Sequence, residues 1–370
     1  MSAAPAATIL TSAVGLGVYI PALLIRQRLR SLGHSAAVEV LEELYLASRL
    51  RDHVAQRKAH HDSFALAQLA NRMARDVQHC LDPARVERLL AQWAREERSR
   101  FIVWSGFWLP LLERYRALVP HLRLDIDHCR IDADVSASFR IFPALRSAGT
   151  EIWLWDANTG QVVHEIPVAD NAPVAFTQRE NRLAVHGGGW GIGTYRDTLA
   201  ELSQAGFAID LVVHDPAEAG DRGDSDRHFM LDPAWEPWLR DDAGEFSFPP
   251  MIDLRGGSGT ASNPQSRYHG FHDVIRKARA IVSKPGGCTL IDSLAAATPV
   301  VLLEAYGAAE QRNAQVWQRL GYGISLADWR AGGYCAAVLD RLHRNILARP
   351  TAGEYPRAWA QRHLSRAEAA

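Results

Sequence analysis

The chain has 370 residues, 47% apolar and 22% charged, enough for two domains with a core each. Lys and Arg number 41 against 42 Asp and Glu, and the net charge of −1 excludes a general nucleic-acid binder, which needs a strong basic excess. Three of the 41 are lysines (Lys58, Lys277, Lys284), and the scattered Cys80, Cys129, Cys288 and Cys335 form neither a CxxC pair nor a zinc-ligand spacing, so we expect reduced thiols in a cytoplasmic protein with no metal site.

The apolar stretch Thr8 to Ile25 is barely long enough to span a membrane and is broken by Gly15, Gly17 and Pro21. It reads instead as a β run (Ala7–Ser12), a small-residue turn and a helix from Pro21 to Leu32, closed by Gly33. A second β run, Ser35 to Leu41, completes a β-α-β unit with a Gly-rich first turn. Residues 47–100 read as helices with ten arginines, Lys58, His53, His60, His61 and His79 against seven acids. They form either a solvated face or a basic surface turned to an anionic acceptor or lipid. A strand at Phe101–Trp104 and a helix to Leu118 follow, then an acid-rich segment from Leu122 to Phe139.

The opening layout then returns. Leu183–His186 is a β run, Gly187 to Gly193 a glycine turn, Tyr195–Ala205 a helix, Gly206 its end, and Ile209–Val213 the next β run. Strand start to closing glycine is 24 residues in the first copy (Ile9 to Gly33) and 23 in the second (Leu183 to Gly206). Two such openings, half a chain apart, predict two Rossmann-like domains, 1–175 and 176–352, with a linker around Pro167, Asn171 and Pro173 and a final helix in 353–370 that packs back on the first. Residues 216–248 read as mostly loop.

The segment Arg279 to Gly323 is the most informative. A strand, Ala280–Ser283, feeds Lys284-Pro285-Gly286-Gly287-Cys288-Thr289 at the start of a helix, followed by a strand through Val300–Leu303 and a helix containing Asn313 and Trp317. Unpartnered N–H groups and the dipole at such a helix start form an anion site, and the glycines admit a phosphate closely.

The run Ser283 to Ala295, then Thr298-Pro299-Val300, then Glu310-Gln311-Arg312-Asn313-Ala314 resembles the donor-binding half of GT-B glycosyltransferases, including the lipid II-forming GlcNAc transferases, the monogalactosyldiacylglycerol synthases and the UDP-glycosyltransferases. The resemblance implies a GT-B α/β fold, two Rossmann-like domains facing each other across a cleft. It implies that Gly286, Gly287, Cys288 and Thr289, with Lys284, hold the donor diphosphate, Asp292 the ribose, and Glu310 and Gln311 the sugar. Gly188, Gly189 and Trp190 would face the cleft, and Tyr268 and Phe271 would meet the base. The acceptor would approach Gly15, Gly17, Val18 and Tyr19. The family opening carries a catalytic His where this chain has Val18, which cannot take a proton. Asp127, His128 and Asp132, in the acidic segment with Asp125 and Asp134, are the expected replacement, and Glu42 and Glu43 an alternative.

The resulting expectation is a metal-independent, inverting glycosyltransferase without a cofactor. It would use a nucleotide-diphosphate sugar, UDP-linked by resemblance, and a small-molecule or lipid acceptor, with peripheral membrane contact open. A nucleotide-sugar hydrolase or 2-epimerase, or a non-catalytic nucleotide-sugar-binding partner, are the alternatives that Val18 keeps open.

Overall fold

The computed structural model describes residues 5–220, 225–255 and 266–368. The first β run is a strand buried at every position, β1 (Ala7–Thr11), as a parallel sheet covered on both faces requires. The helix after it, α1 (Leu16–Ser31), starts five residues before Pro21. Pro21 therefore removes one helical hydrogen bond, which deep burial along the helix offsets. Gly33 (φ +84) turns the chain into β2 (Ala36–Val40).

Next come α2 (Ala47–Asp62), α3 (Phe64–Arg72) and α4 (Pro83–Arg95), the last capped by Asp82 with Pro83 at its first turn. They are followed by β3 (Arg100–Val103), α5 (Leu109–Leu118), β4 (Asp125–Arg130), one turn α6 (Ala137–Arg140) and β5 (Thr150–Trp153). The five strands pair in parallel in the order β2-β1-β3-β4-β5. A hairpin, β6 (Trp155–Asp156) with β7 (Gln161–Val162), and the short β8 (His164–Glu165) lead to the second sheet.

That sheet is built from β9 (Arg182–Val185), α7 (Leu199–Gln204), β10 (Ala208–Val213), β11 (Arg227–Leu231) and β12 (Met251–Asp253). It continues with α8 (Phe271–Lys277), β13 (Ala280–Ser283), α9 (Gly287–Ala296), β14 (Val300–Leu302), α10 (Ala308–Leu320) and β15 (Gly323–Ser325). Its order is β12-β11-β10-β9-β13-β14-β15, parallel except at β12. The stretch expected to be loop thus contains β11. Its Arg227 pairs with buried Asp210 of β10 at 2.7 Å, so a charged residue opens a strand that the hydrophobic pattern alone does not mark.

After α11 (Leu326–Ala331) and α12 (Ala336–Leu347), β16 (Gly353–Glu354) pairs with β8, and α13 (Tyr355–Glu368) lies against α1. The last two residues of the expected final helix, Ala369 and Ala370, lie outside the described residues. No helix among the described residues is long and apolar enough to cross a membrane.

Strand order reverses between β1 and β3 in the first sheet, and between β9 and β13 in the second. Such switch points open a crevice at the carboxyl ends of the strands, where ligands bind. Here the two crevices face each other. A Cβ on Gly189, after β9, would lie 2.4 Å from the Leu16 side chain, and one on Gly287 would lie 2.4 Å from Ile131. Only glycine permits these approaches.

Candidate active site

Between the two sheets lies a cleft of about 650 Å³, walled by the loops at both switch points and by one face of α2. On the second sheet, β13 delivers the chain to α9, whose first turn presents backbone N–H groups with no side-chain cap from its own N-cap residue, Gly286. Gly286, Gly287, Cys288 and Thr289 all line the cleft. The Cys288 thiol is pushed well up by burial and stays protonated. Lys284 Nζ sits 2.5 Å from Glu310 Oε1, while the other Glu310 oxygen accepts from the Tyr306 N–H at 2.8 Å. Both side chains face the cleft.

The N-terminal body reaches across to this turn. Asp132, just past β4, accepts from Asn313 Nδ2 at 2.7 Å and lies beside the Gly287 backbone N–H, which favours its ionised form. Asn313 in turn accepts from the Ala133 N–H at 2.7 Å and donates to the Pro285 carbonyl at 2.8 Å. An N-terminal-body carboxylate therefore stands near the start of α9, where an anion would be favoured. Burial and the nearby Glu310 charge push the Asp132 carboxyl up to about 6.

Asp292, one turn into α9, also lines the cleft. Its Oδ1 accepts from His269 Nε2 at 2.9 Å and His272 Nδ1 at 3.1 Å. Burial is outweighed by the two histidines, which hold the carboxyl well below its ordinary range. These three side chains present ligand atoms close enough together to hold a metal ion; the hydrogen bonds account for the arrangement without one. Sequence reading missed both histidines because one precedes α8 and the other sits inside it, apart from any motif.

His186, the residue after β9, was also missed, although it immediately precedes the glycine turn. Its Nδ1 accepts from the Gly188 N–H at 3.0 Å, so Nε2 carries the proton. Nε2 is buried on the cleft wall with no partner among the described residues, and burial brings the imidazole down to about 4. It is a neutral hydrogen-bond donor facing the site.

Gly188, Gly189 and Trp190 line the cleft as expected. The Trp190 indole N–H donates to the Ala13 carbonyl at 3.2 Å, and the Arg57 guanidinium lies 4.1 Å from its ring centroid. On the first sheet, Gly15, Leu16, Gly17 and Val18 line the cleft. Tyr19 does not: it is buried beneath, its hydroxyl donating to the Ser247 carbonyl at 2.9 Å.

Other expectations are corrected by the geometry. Asp127 points away from the cleft, accepting from the Tyr355 hydroxyl at 2.6 Å and pairing with Arg362 of α13. Alternate residues of a strand face opposite sides, and Asp127 lies on the α13 side. His128 is fully buried, its ring 5.7 Å from that of Phe139, and is absent from the cleft wall. Of the three expected catalytic residues, only Asp132 reaches the cleft. Gln311 is exposed on α10, off the cleft wall. Phe271 lines the cleft, whereas Tyr268 lies off it, donating to Asp273 at 3.2 Å. Glu42 is buried and accepts from Ser12 Oγ at 2.6 Å and the Ala13 N–H at 2.6 Å, and Glu43 pairs with Arg240 at 2.8 Å.

No family model matches the chain, and no curated protein matches it by sequence. Among solved structures it is similar to Acinetobacter baumannii MurG, with a TM-score of 0.52 and 9% identity over 96% of this chain and 99% of that one. It is similar to the glycosyltransferase SnogD of Streptomyces nogalater, with a TM-score of 0.50 and 14% identity over 98% and 99%. It is likewise similar to the glycosyltransferase VinC in complex with dTDP, with a TM-score of 0.52 and 11% identity over 98% and 100%. Two switch points facing each other across a cleft, and this likeness along nearly the whole chain, establish that the protein has the GT-B fold of glycosyltransferases.

Proposed function

We propose that the protein transfers a sugar from a nucleoside-diphosphate sugar to a hydroxyl acceptor that enters along the N-terminal body. The observation carrying this reading is the α9 N-terminus at the second switch point, open to the cleft and facing the first switch point across it. VinC, of the same fold, holds dTDP. The donor diphosphate would lie on the Gly287, Cys288 and Thr289 N–H groups beside Lys284, with the ribose at the free oxygen of Asp292. As the anomeric C–O bond breaks, negative charge builds on the leaving diphosphate, and dipole, N–H groups and Lys284 stabilise it without reorganising. Attack from the face opposite the diphosphate inverts the anomeric carbon. The acceptor is a small molecule or a lipid headgroup.

Thermal shift and calorimetry with UDP, dTDP and GDP test the reading, since ligand binding raises the stability of the native state. We expect UDP or dTDP to raise Tm. The variant to compare is Gly286→Asp, whose Cβ would lie 3.2 Å from both Lys284 Nζ and Glu310. It adds a negative charge at the anion site and should weaken nucleotide binding at least tenfold. Gly287→Asp is the poorer choice, because its side chain would strike Ile131 and disturb the contact between the two bodies. If no nucleoside diphosphate shifts Tm, the reading fails.

Val18 on the cleft wall, without a titratable group, favours one second reading, a nucleotide-sugar hydrolase. Diphosphate release that no acceptor accelerates would support it.

A further inference from the structure

The β1–α1 loop carries no base, yet a base stands directly against it. Arg49, Asp52, His53, Gln56, Arg57 and His60 recur at helical spacing along α2, and all six line the cleft. No residue of α2 is fully buried, so this helix serves the cleft rather than a core. Within the stripe His53 differs from its neighbours. Its ring packs edge-on between Tyr45, at 6.3 Å, and Trp238, at 5.8 Å. The ring lies beside the backbone of Ala13, which favours its protonated form. Nε2 is buried and has no hydrogen-bond partner among the described residues. Among the described residues no hydrogen bond fixes the proton on one ring nitrogen, so the neutral ring can offer a lone pair to the cleft.

We propose that the His53 imidazole is the general base of the transfer, supplied from α2 in place of the residue missing at Val18. The acceptor hydroxyl gives its proton to the imidazole as its oxygen bonds to the anomeric carbon. The C–O bond to the diphosphate breaks, its electron pair leaves on the phosphate oxygen, and the imidazolium later returns its proton to solvent. The groups facing the ring are Glu42 and Glu236, which favour its charged form, and Arg57 and His60, which oppose it. Burial dominates and draws His53 below its ordinary value, so the ring is neutral and able to accept a proton at pH 7.

The assignment rests on the glycosyl-transfer reading, and the test separates the two. Nucleoside-diphosphate release from UDP-glucose, UDP-GlcNAc and dTDP-glucose is measured with water and simple alcohols as acceptors, for the wild type, His53→Ala and His53→Gln, beside donor affinity and Tm. The glutamine keeps a polar side chain of similar size and covers the case in which alanine fails to fold. We expect turnover to fall by roughly 100- to 10,000-fold, the usual worth of a general base, with donor affinity within about threefold. The acidic limb below pH 6.5 should disappear, and imidazole should partly restore His53→Ala. Wild-type turnover that survives both substitutions with its acidic limb intact overturns the assignment and leaves glycosyl transfer standing. A wild type that binds none of the three donors overturns both.

Discussion

Asp132 holds the place a phosphate would take. Its carboxylate lies beside the Gly287 N–H, and Asn313 holds it there. A donor diphosphate has to share or displace that contact, and two anions at one helix start repel. Asp132→Asn removes the charge but keeps an oxygen for the N–H. It should tighten UDP or dTDP binding about tenfold, equivalent to ~1.4 kcal/mol, and leave turnover within a few-fold. Calorimetry and steady-state kinetics check this; a turnover loss of 100-fold or more would instead make Asp132 the base. The Lys284–Thr289 turn was legible in the sequence because its chemistry is local: glycines, a helix start and a rare lysine occupy one short run. His53 and His186 were not singled out as site residues, because what distinguishes them is a partner far away in the chain or the lack of one.

At the scale of elements, α13 explains why the acidic segment misled. Asp127 is 2% exposed and satisfies Tyr355 and Arg362, both on that helix. A sequence shows that β4 is rich in Asp and His, but not that a helix more than 200 residues later covers one face of it. The same limit applies to α2, whose lack of apolar periodicity resembles a solvated face until the second body is set against it. Asp127→Ala strands a buried tyrosine hydroxyl and removes one partner of the Arg362 guanidinium. It should cost about 2–3 kcal/mol, less than a fully buried pair because the Arg362 side chain is 37% exposed. Tm should drop while turnover per folded molecule is unchanged. A turnover loss beyond tenfold at unaltered Tm would return Asp127 to the chemistry.

Over the whole molecule, the duplicated strand-glycine-helix opening made two switch points readable. Their facing across a cleft came with the family resemblance rather than from the residues themselves, because it depends on contacts such as Gly189 with Leu16 and Gly287 with Ile131, which have no local signature. Both bodies also share a liability to acid that only the packed structure reveals. His128 beside β5, His186 at the cleft and His214 after β10 are each drawn down by burial, to about 4, about 4 and about 3, from 6.5 in the unfolded chain. Below pH 6.5 the unfolded state takes up protons that the folded state refuses, so stability falls as pH drops toward 4. Each histidine contributes a slope of up to about 1.4 kcal/mol per pH unit. Asp132 acts in the opposite sense: raised to about 6 from 3.8, it favours the folded state as it protonates over much of the same window. Three histidines against one carboxyl leave a net loss. Tm should therefore decline from pH 6.5 downward, before ordinary carboxylates titrate. Neither ring nitrogen of His128 has a partner among the described residues, so His128→Leu should preserve or raise Tm at pH 7 and flatten the decline. A Tm constant between pH 7 and 5 in the wild type would show that these rings are not held neutral by burial.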